Sequence, residues 1–201
     1  MLKTERMDRV RAALRAQGLT QMIVCDPKSV WYLTGVAVEP YERLLALYLP
    51  TEGEPVLFLN RLFNVPEPPC RTVWHTDTDK PVAQIAEVVD AGRPLGIDKE
   101  WPAKFLIPLM ETHPGMQVVL SSDCVDDCRA CKDAEEQTLM REASRINDAV
   151  NEAAKHYIKA GMTEREVAEF IDAQFRAHGC EGPSFTTIVS FGANAADPHH
   201  E

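Results

Sequence analysis

The chain has 201 residues, 45% of them hydrophobic, and a formal net charge of −10. That length suits one large domain, or one complete domain with part of another. The acidic balance argues against a nucleic-acid backbone as partner, because phosphate binding wants clustered Lys and Arg. The absence of any run of about 18 apolar residues argues against a transmembrane helix. The first residues, MLKTERMDRVRAAL, are charged and lack the apolar core of a signal peptide, so a cytoplasmic location is expected.

Residues 4–17 read as an amphipathic helix, with Met7, Val10 and Leu14 on one face and Gly18 placed to end it. Residues 22–25 form a short apolar strand, followed by a turn at Asp26-Pro27. Residues 30–34 are aromatic and β-branched, which predicts another strand, closed by Gly35. Trp31 and Tyr32 are expected to pack between sheet and helix. Residues 44–49 and 56–59 are two more strands, joined by the polar connection Thr51-Glu52-Gly53-Glu54. Pro66, Pro68 and Pro69 forbid a central strand and make a loop. Residues 72–75 are a short strand. Val82, Ile85, Ala86 and Val89 then repeat at helical spacing, up to Gly92. Residues 95–98 are a strand, Pro102 suits the first turn of a helix, and residues 117–120 are the last strand of this half. Helices alternating with short apolar strands predict a layered α/β domain with a mixed sheet over residues 1–122.

Residues 124–132 read as a linker. Asp133 with Glu136 then has the spacing of a capping box. Leu139, Ala143, Ile146, Val150, Ala153 and Tyr157 step by four and three, a buried stripe on a long helix that Gly161 ends. Thr163 and Glu166 form a second capping box. Val167, Ile171, Phe175 and His178 stripe the next helix, which Gly179 ends. Residues 185–189 are β-branched or aromatic without a break and predict a buried strand. Two helices and one strand without a sheet partner are not a complete fold, so residues 123–201 are expected to be the front portion of a larger, truncated domain.

Six cysteines are present. Without secretion they are expected to be reduced. Cys124, Cys128 and Cys131 are close in sequence, but a zinc or iron–sulfur site needs four ligands and no second pair follows at suitable spacing. They read as packing residues. His75, His113, His156 and His178 are scattered, with no H-x-x-x-H pair. No phosphate-binding glycine loop and no G-x-S-x-G occurs, so nucleotide and serine-hydrolase chemistries have no support.

The last stretch concentrates the chemistry. After the apolar run come Gly192-Ala193-Asn194, which tolerate positive φ, and then Asp197-Pro198-His199-His200-Glu201. Imidazoles and carboxylates on a loop leaving a buried segment are where active sites are built. The run SFTTIVSFGANAADPHH resembles the opening of the catalytic domain of the pita-bread metallopeptidases: Xaa-Pro aminopeptidases, Xaa-Pro dipeptidases (prolidases) and their metal-free relative creatinase. Trp31-Tyr32-Leu33-Thr34-Gly35 resembles the YLTG signature of their N-terminal domain. KDAEEQTLMREA at residues 132–143 resembles the helix that opens the catalytic domain, and Gly161-Met162-Thr163-Glu164 the turn before the next helix. The four matches occur in the family's order.

The resemblance implies a creatinase/prolidase-type N-terminal α/β domain over residues 1–122. It implies the first helices and strand of an incomplete pita-bread α+β catalytic domain over residues 123–201. It implies a parent enzyme that cleaves Xaa-Pro peptide bonds with two divalent metal ions (Mn, Co or Zn), whose ligands lie beyond the Pro-His motif. No residue here is assigned to those metals, and the chain alone is expected to be inactive. His199 matches the family's His after Pro, which is not a metal ligand. It hydrogen-bonds substrate and shuttles a proton or stabilises the tetrahedral intermediate, a task that an imidazole with a pKa of about 6.5 suits. The implied partners are a proline-containing peptide and a second copy in a homodimer. Two other readings stay open: a creatinase-like metal-free amidinohydrolase, and a non-catalytic peptide-binding module on the same fold. The first would lack the full carboxylate set; the second would bind proline-containing peptides without cutting them.

Overall fold

The computed structural model describes residues 2–200; Glu201, the second carboxylate of the closing motif, lies outside them. The chain divides into two compact units, Met1–Cys131 and Lys132–Glu201.

The first unit is built on a six-stranded mixed sheet. Its strands are β1 (Gln21–Val24), β2 (Ala46–Pro50), β3 (Val56–Asn60), β4 (Arg71–His75), β5 (Leu95–Ile97) and β6 (Val118–Leu120), in the spatial order β4-β3-β2-β1-β5-β6. The β1–β2 and β2–β3 pairs are antiparallel; β3–β4, β1–β5 and β5–β6 are parallel. Successive side chains on a strand point to opposite faces, and both faces here are apolar. Met22, Val24, Leu47, Leu49, Leu57 and Leu59 join one buried cluster. Ile23, Ala46, Val56, Phe58, Leu95 and Ile97 join the other. Helices α1 (Thr4–Ala16), α2 (Pro27–Thr34) and α5 (Asp123–Ala130) supply side chains to the first cluster; α3 (Pro81–Ala86) and α4 (Ala103–Thr112) supply the second. The layered α/β domain with a mixed sheet is therefore as expected. Gly96 on β5 permits this packing: a Cβ there would meet Ser121 Oγ at 3.0 Å and the Gln21 carbonyl at 3.3 Å.

Residues 30–34 are not a strand. They complete α2, because Asp26 caps it through the amides of Lys28 and Ser29 and Pro27 stands in its first turn. Gly35 ends it in the left-handed conformation at φ 75°, donating to the Trp31 carbonyl. On this helix Tyr32 is buried, but Trp31 is 54% exposed and does not pack between layers.

The expected linker at residues 124–132 is also corrected, since most of it is α5. Cys124, Val125 and Cys128 lie at helical spacing and are buried in the first cluster. The Cys128 carbonyl in the last turn accepts from Arg9 Nη2 at 2.9 Å and Tyr32 Oη at 3.2 Å, which satisfies an end that the helix cannot satisfy itself.

The second unit is an antiparallel hairpin of α6 (Ala134–Tyr157) and α7 (Glu164–Ala177) with a closing loop. Both expected capping boxes form, Asp133 with Glu136 and Thr163 with Glu166. Tyr157 stacks on Phe170 at 3.8 Å beside the hairpin turn. Val150 and Ala154 are buried with Val167, but Leu139 is 65% exposed and Ala143 is exposed. The expected stripe is thus covered over its C-terminal part only. At about 1.5 Å per residue, the 14 residues of α7 cannot reach the far end of the 24-residue α6.

The strand expected at residues 185–189 does not form. Among the described residues all six strands belong to the first unit, and none pairs with this segment. It lies along α7 instead. Thr187 Oγ1 donates to Asp172 Oδ1 at 2.6 Å, and the Phe191 amide donates to Glu164 Oε1 at 2.6 Å. Eight helical residues separate the two acceptors, about 12 Å. Four residues separate the donors, at most about 14 Å. The segment is therefore nearly extended and antiparallel to α7.

Candidate functional site

The closing loop begins where the extended segment ends. Glu164, the first residue of α7, holds it at two points. Besides the Phe191 amide, its carboxylate accepts from Asn194 Nδ2, which lies 3.0 Å from both oxygens. After the first anchor the chain makes a 3₁₀ turn, Gly192–Ala196, which carries the second and is entered at φ 57° by Gly192, a conformation that L side chains rarely adopt. The capping box explains why Glu164 can do this. Thr163 and Glu166 satisfy each other's backbone amides, so the neighbouring carboxylate is directed to the loop. The two loop donors hold the Glu164 carboxyl below its ordinary range, and the nearby His200 adds to the lowering.

From Asn194 the hydrogen bonds continue toward the imidazoles. The Asp197 amide donates to the Asn194 carbonyl at 3.0 Å. Asp197 Oδ1 accepts from the His199 amide at 3.1 Å, an Asx turn across Pro198, whose ring fixes φ. His199 is exposed. His200 is half-buried and lines a cleft of about 410 Å³ with Glu164, Arg165 and residues 186–189.

Among the described residues no three His, Cys, Asp or Glu side chains converge where a metal ion could sit. The described residues therefore do not fit the metal pair that the resemblance implies. Cys124 and Cys128 are buried on α5 and Cys131 is exposed. Burial pushes the Cys124 thiol up to about 11, and the Cys128 thiol up as well, which disfavours the thiolate that metals bind. His75 is buried, its Nε2 3.1 Å from the Leu44 carbonyl and its Nδ1 3.4 Å from Asn60 Nδ2. His113 meets the Ala86 carbonyl and His156 meets Glu152. These are local structural contacts.

Glu164 and Asn194 were not among the sequence candidates. Glu164 reads as an ordinary acidic residue in a first helical turn and Asn194 as a turn residue. Their pairing spans 30 positions, which no periodicity reports. A weak signal exists: the capping box needs only Thr163 and Glu166, which leaves Glu164 without a local task.

The sequence profile of the Creatinase/Prolidase N-terminal domain matches residues 6–131, and that of Metallopeptidase family M24 matches residues 138–201. The chain is 30% identical over 198 residues to a probable dipeptidase PepE of Mycobacterium bovis, covering 94% of this chain and 52% of that one. The crystal structure of dipeptidase PepE from Mycobacterium ulcerans superposes with a TM-score of 0.86 at 29% identity, covering 98% of this chain and 55% of that one. A recombinant prolidase from Thermococcus sibiricus superposes with a TM-score of 0.88 at 26% identity, covering 100% of this chain and 57% of that one. The chain thus spans about half the length of the relatives it matches. With that profile matching residues 6–131, more than half of its length, the chain belongs to the proteins that carry a Creatinase/Prolidase N-terminal domain, and its remaining residues 138–201 are similar to Metallopeptidase family M24.

Proposed function

We propose that this chain supplies the N-terminal portion of a peptidase that cleaves Xaa-Pro bonds, with His199 as its contribution to catalysis. The observation that carries the reading is the loop of residues 191–200. It presents the G-x-N-A-x-x-P-H sequence as an anchored turn with an accessible imidazole at its end. Prolidase and dipeptidase relatives on the same fold support the peptidase class.

His199 hydrogen-bonds the substrate near the scissile carbonyl. As imidazolium it donates a proton there; as imidazole it accepts one. Positioned groups of this kind contribute roughly 10²–10⁴ in rate. The family is one of metallopeptidases, and two divalent ions (Mn, Co or Zn) would polarise the carbonyl and activate water. Among the described residues no group of three potential ligands converges, and His199 is given no part in holding the metals. On this reading the chain alone is inactive. The active protein is a cytoplasmic homodimer acting on proline-containing peptides; among the described residues no helix is long and apolar enough to cross a membrane.

The test is His199→Ala in the protein expressed from the uninterrupted reading frame. Ala-Pro turnover should fall by roughly 10² or more, with metal content intact. Unchanged turnover would remove His199 from the mechanism.

A further inference from the structure

We propose that Glu164 is a positioning residue for His199, acting through Asn194 and the turn between them. The inference rests on the catalytic role proposed for His199.

The connection is a chain of hydrogen bonds. Glu164 takes the Phe191 amide and the Asn194 side chain. Asn194 offers its carbonyl to the Asp197 amide, and Asp197 Oδ1 takes the His199 amide. Each link joins residues at most three apart in the loop, except the first, which reaches back to a rigid helix. Glu164 is therefore where a short exposed turn acquires a fixed reference. Without it the side-chain tie that remains to α7 among the described residues is the Thr187–Asp172 bond, twelve residues before His199.

The chemistry at the anchor suits that task. Both partners are donors, so an ionised carboxylate satisfies them and its charge strengthens each bond. A negative charge in the first turn of α7 is also favoured by the helix dipole. Both loop donors are directed at the one carboxylate on α7, so the loop closes on that helix as a unit. A misplacement of about 1 Å at a reacting group can cost about a hundredfold in rate. Loss of a supporting contact should therefore appear in kcat.

The experiment uses the protein from the uninterrupted reading frame, loaded with Mn²⁺ and assayed on Ala-Pro. Four variants are compared: Glu164→Ala, Asn194→Ala, His199→Ala and the double variant Glu164→Ala/His199→Ala. Glu164→Ala should lower kcat about tenfold to a hundredfold, with KM and metal content changed by less than about twofold. Asn194→Ala removes the other end of the same bond from an exposed loop. It should reproduce the effect, and it decides the matter if Glu164→Ala fails to fold. The double variant should be no slower than His199→Ala, because a positioning residue has nothing left to position. A merely structural role would multiply the two losses. If His199→Ala lowers turnover while Glu164→Ala and Asn194→Ala do not, the positioning proposal fails and the catalytic reading stands. If the wild-type protein does not cleave Ala-Pro, or His199→Ala leaves turnover unchanged, the reading beneath it fails.

Discussion

Arg129 Nη1 lies 3.2 Å from Asp26 Oδ2 and 3.0 Å from Ser29 Oγ, a contact across 103 positions in the chain. Asp26 is the N-cap of α2, so Arg129 ties the end of α5 to the start of α2. Beneath that tie, Cys124, Val125 and Cys128 are buried in the core of the first unit.

A fragment of residues 1–131 should therefore unfold cooperatively, while a fragment of residues 1–122 should be less stable by at least about 3 kcal/mol, the burial of three small apolar side chains. Arg129→Ala should cost only about 0.5–1 kcal/mol, because the pair is partly exposed. Urea denaturation of the two fragments measures this. Equal midpoints would place residues 123–131 outside the first unit.

Thiol reactivity should be strongly graded. Cys25 is buried, donates its Sγ–H to Asp98 Oδ1 at 2.8 Å, and has its pKa raised by desolvation and then by that carboxylate. The Cys124 thiol is pushed up to about 11 by burial. At neutral pH both are protonated and shielded, whereas Cys131 is exposed. Iodoacetamide with peptide mapping should label Cys131 first and leave Cys25 and Cys124 untouched until the chain unfolds. Labelling of Cys124 as fast as Cys131 would contradict the packing of α5.

The two ends of α6 should respond differently to truncation. Val150 is buried, and Val150→Ala should cost about 2 kcal/mol. Leu139 is exposed, and Leu139→Ala should change stability by less than about 0.5 kcal/mol. Thermal melts of the chain followed by helicity test both. A large loss at Leu139 would mean that the far end of α6 is covered.

The anchor at Glu164 should fail in acid. Its folded pKa lies below the ordinary 4.5, because the Phe191 amide and the Asn194 side chain favour the carboxylate. A lowered folded pKa stabilises the loop above the unfolded value, and that stabilisation is lost as pH falls through the folded one. The Phe191 amide resonance should titrate with a midpoint below 4.5. In Glu164→Gln this transition should vanish. A midpoint at or above 4.5 would mean that the two bonds do not hold the carboxylate.

Much of this was legible locally. Capping boxes at Asp133 and Thr163 are short-range patterns, and both form. The strands of the first unit are recognisable as apolar runs between turns. Where local signals conflicted, reading failed. Residues 30–34 have β-branched and aromatic side chains, but the Asp26 cap and Pro27 start a helix that carries through them. Residues 124–132 are rich in charge and looked like a linker, yet three of their positions fall on one helical face. Residues 185–189 have strand composition without a strand beside them. The Glu164–Asn194 contact depends on how α7 and the loop fold back on each other, which sequence spacing does not encode.

The most direct measurement compares this chain with the protein expressed from the uninterrupted reading frame. Both are assayed on Ala-Pro and on Ala-Pro-Ala, with Mn²⁺ and with chelator. Cleavage by the longer form only, abolished by chelator, is the predicted result, and the preferred substrate distinguishes dipeptidase from aminopeptidase. No cleavage by the longer form, or cleavage that survives chelation, would contradict the assignment as a metal-dependent Xaa-Pro peptidase and make creatine hydrolysis and peptide binding the next assays.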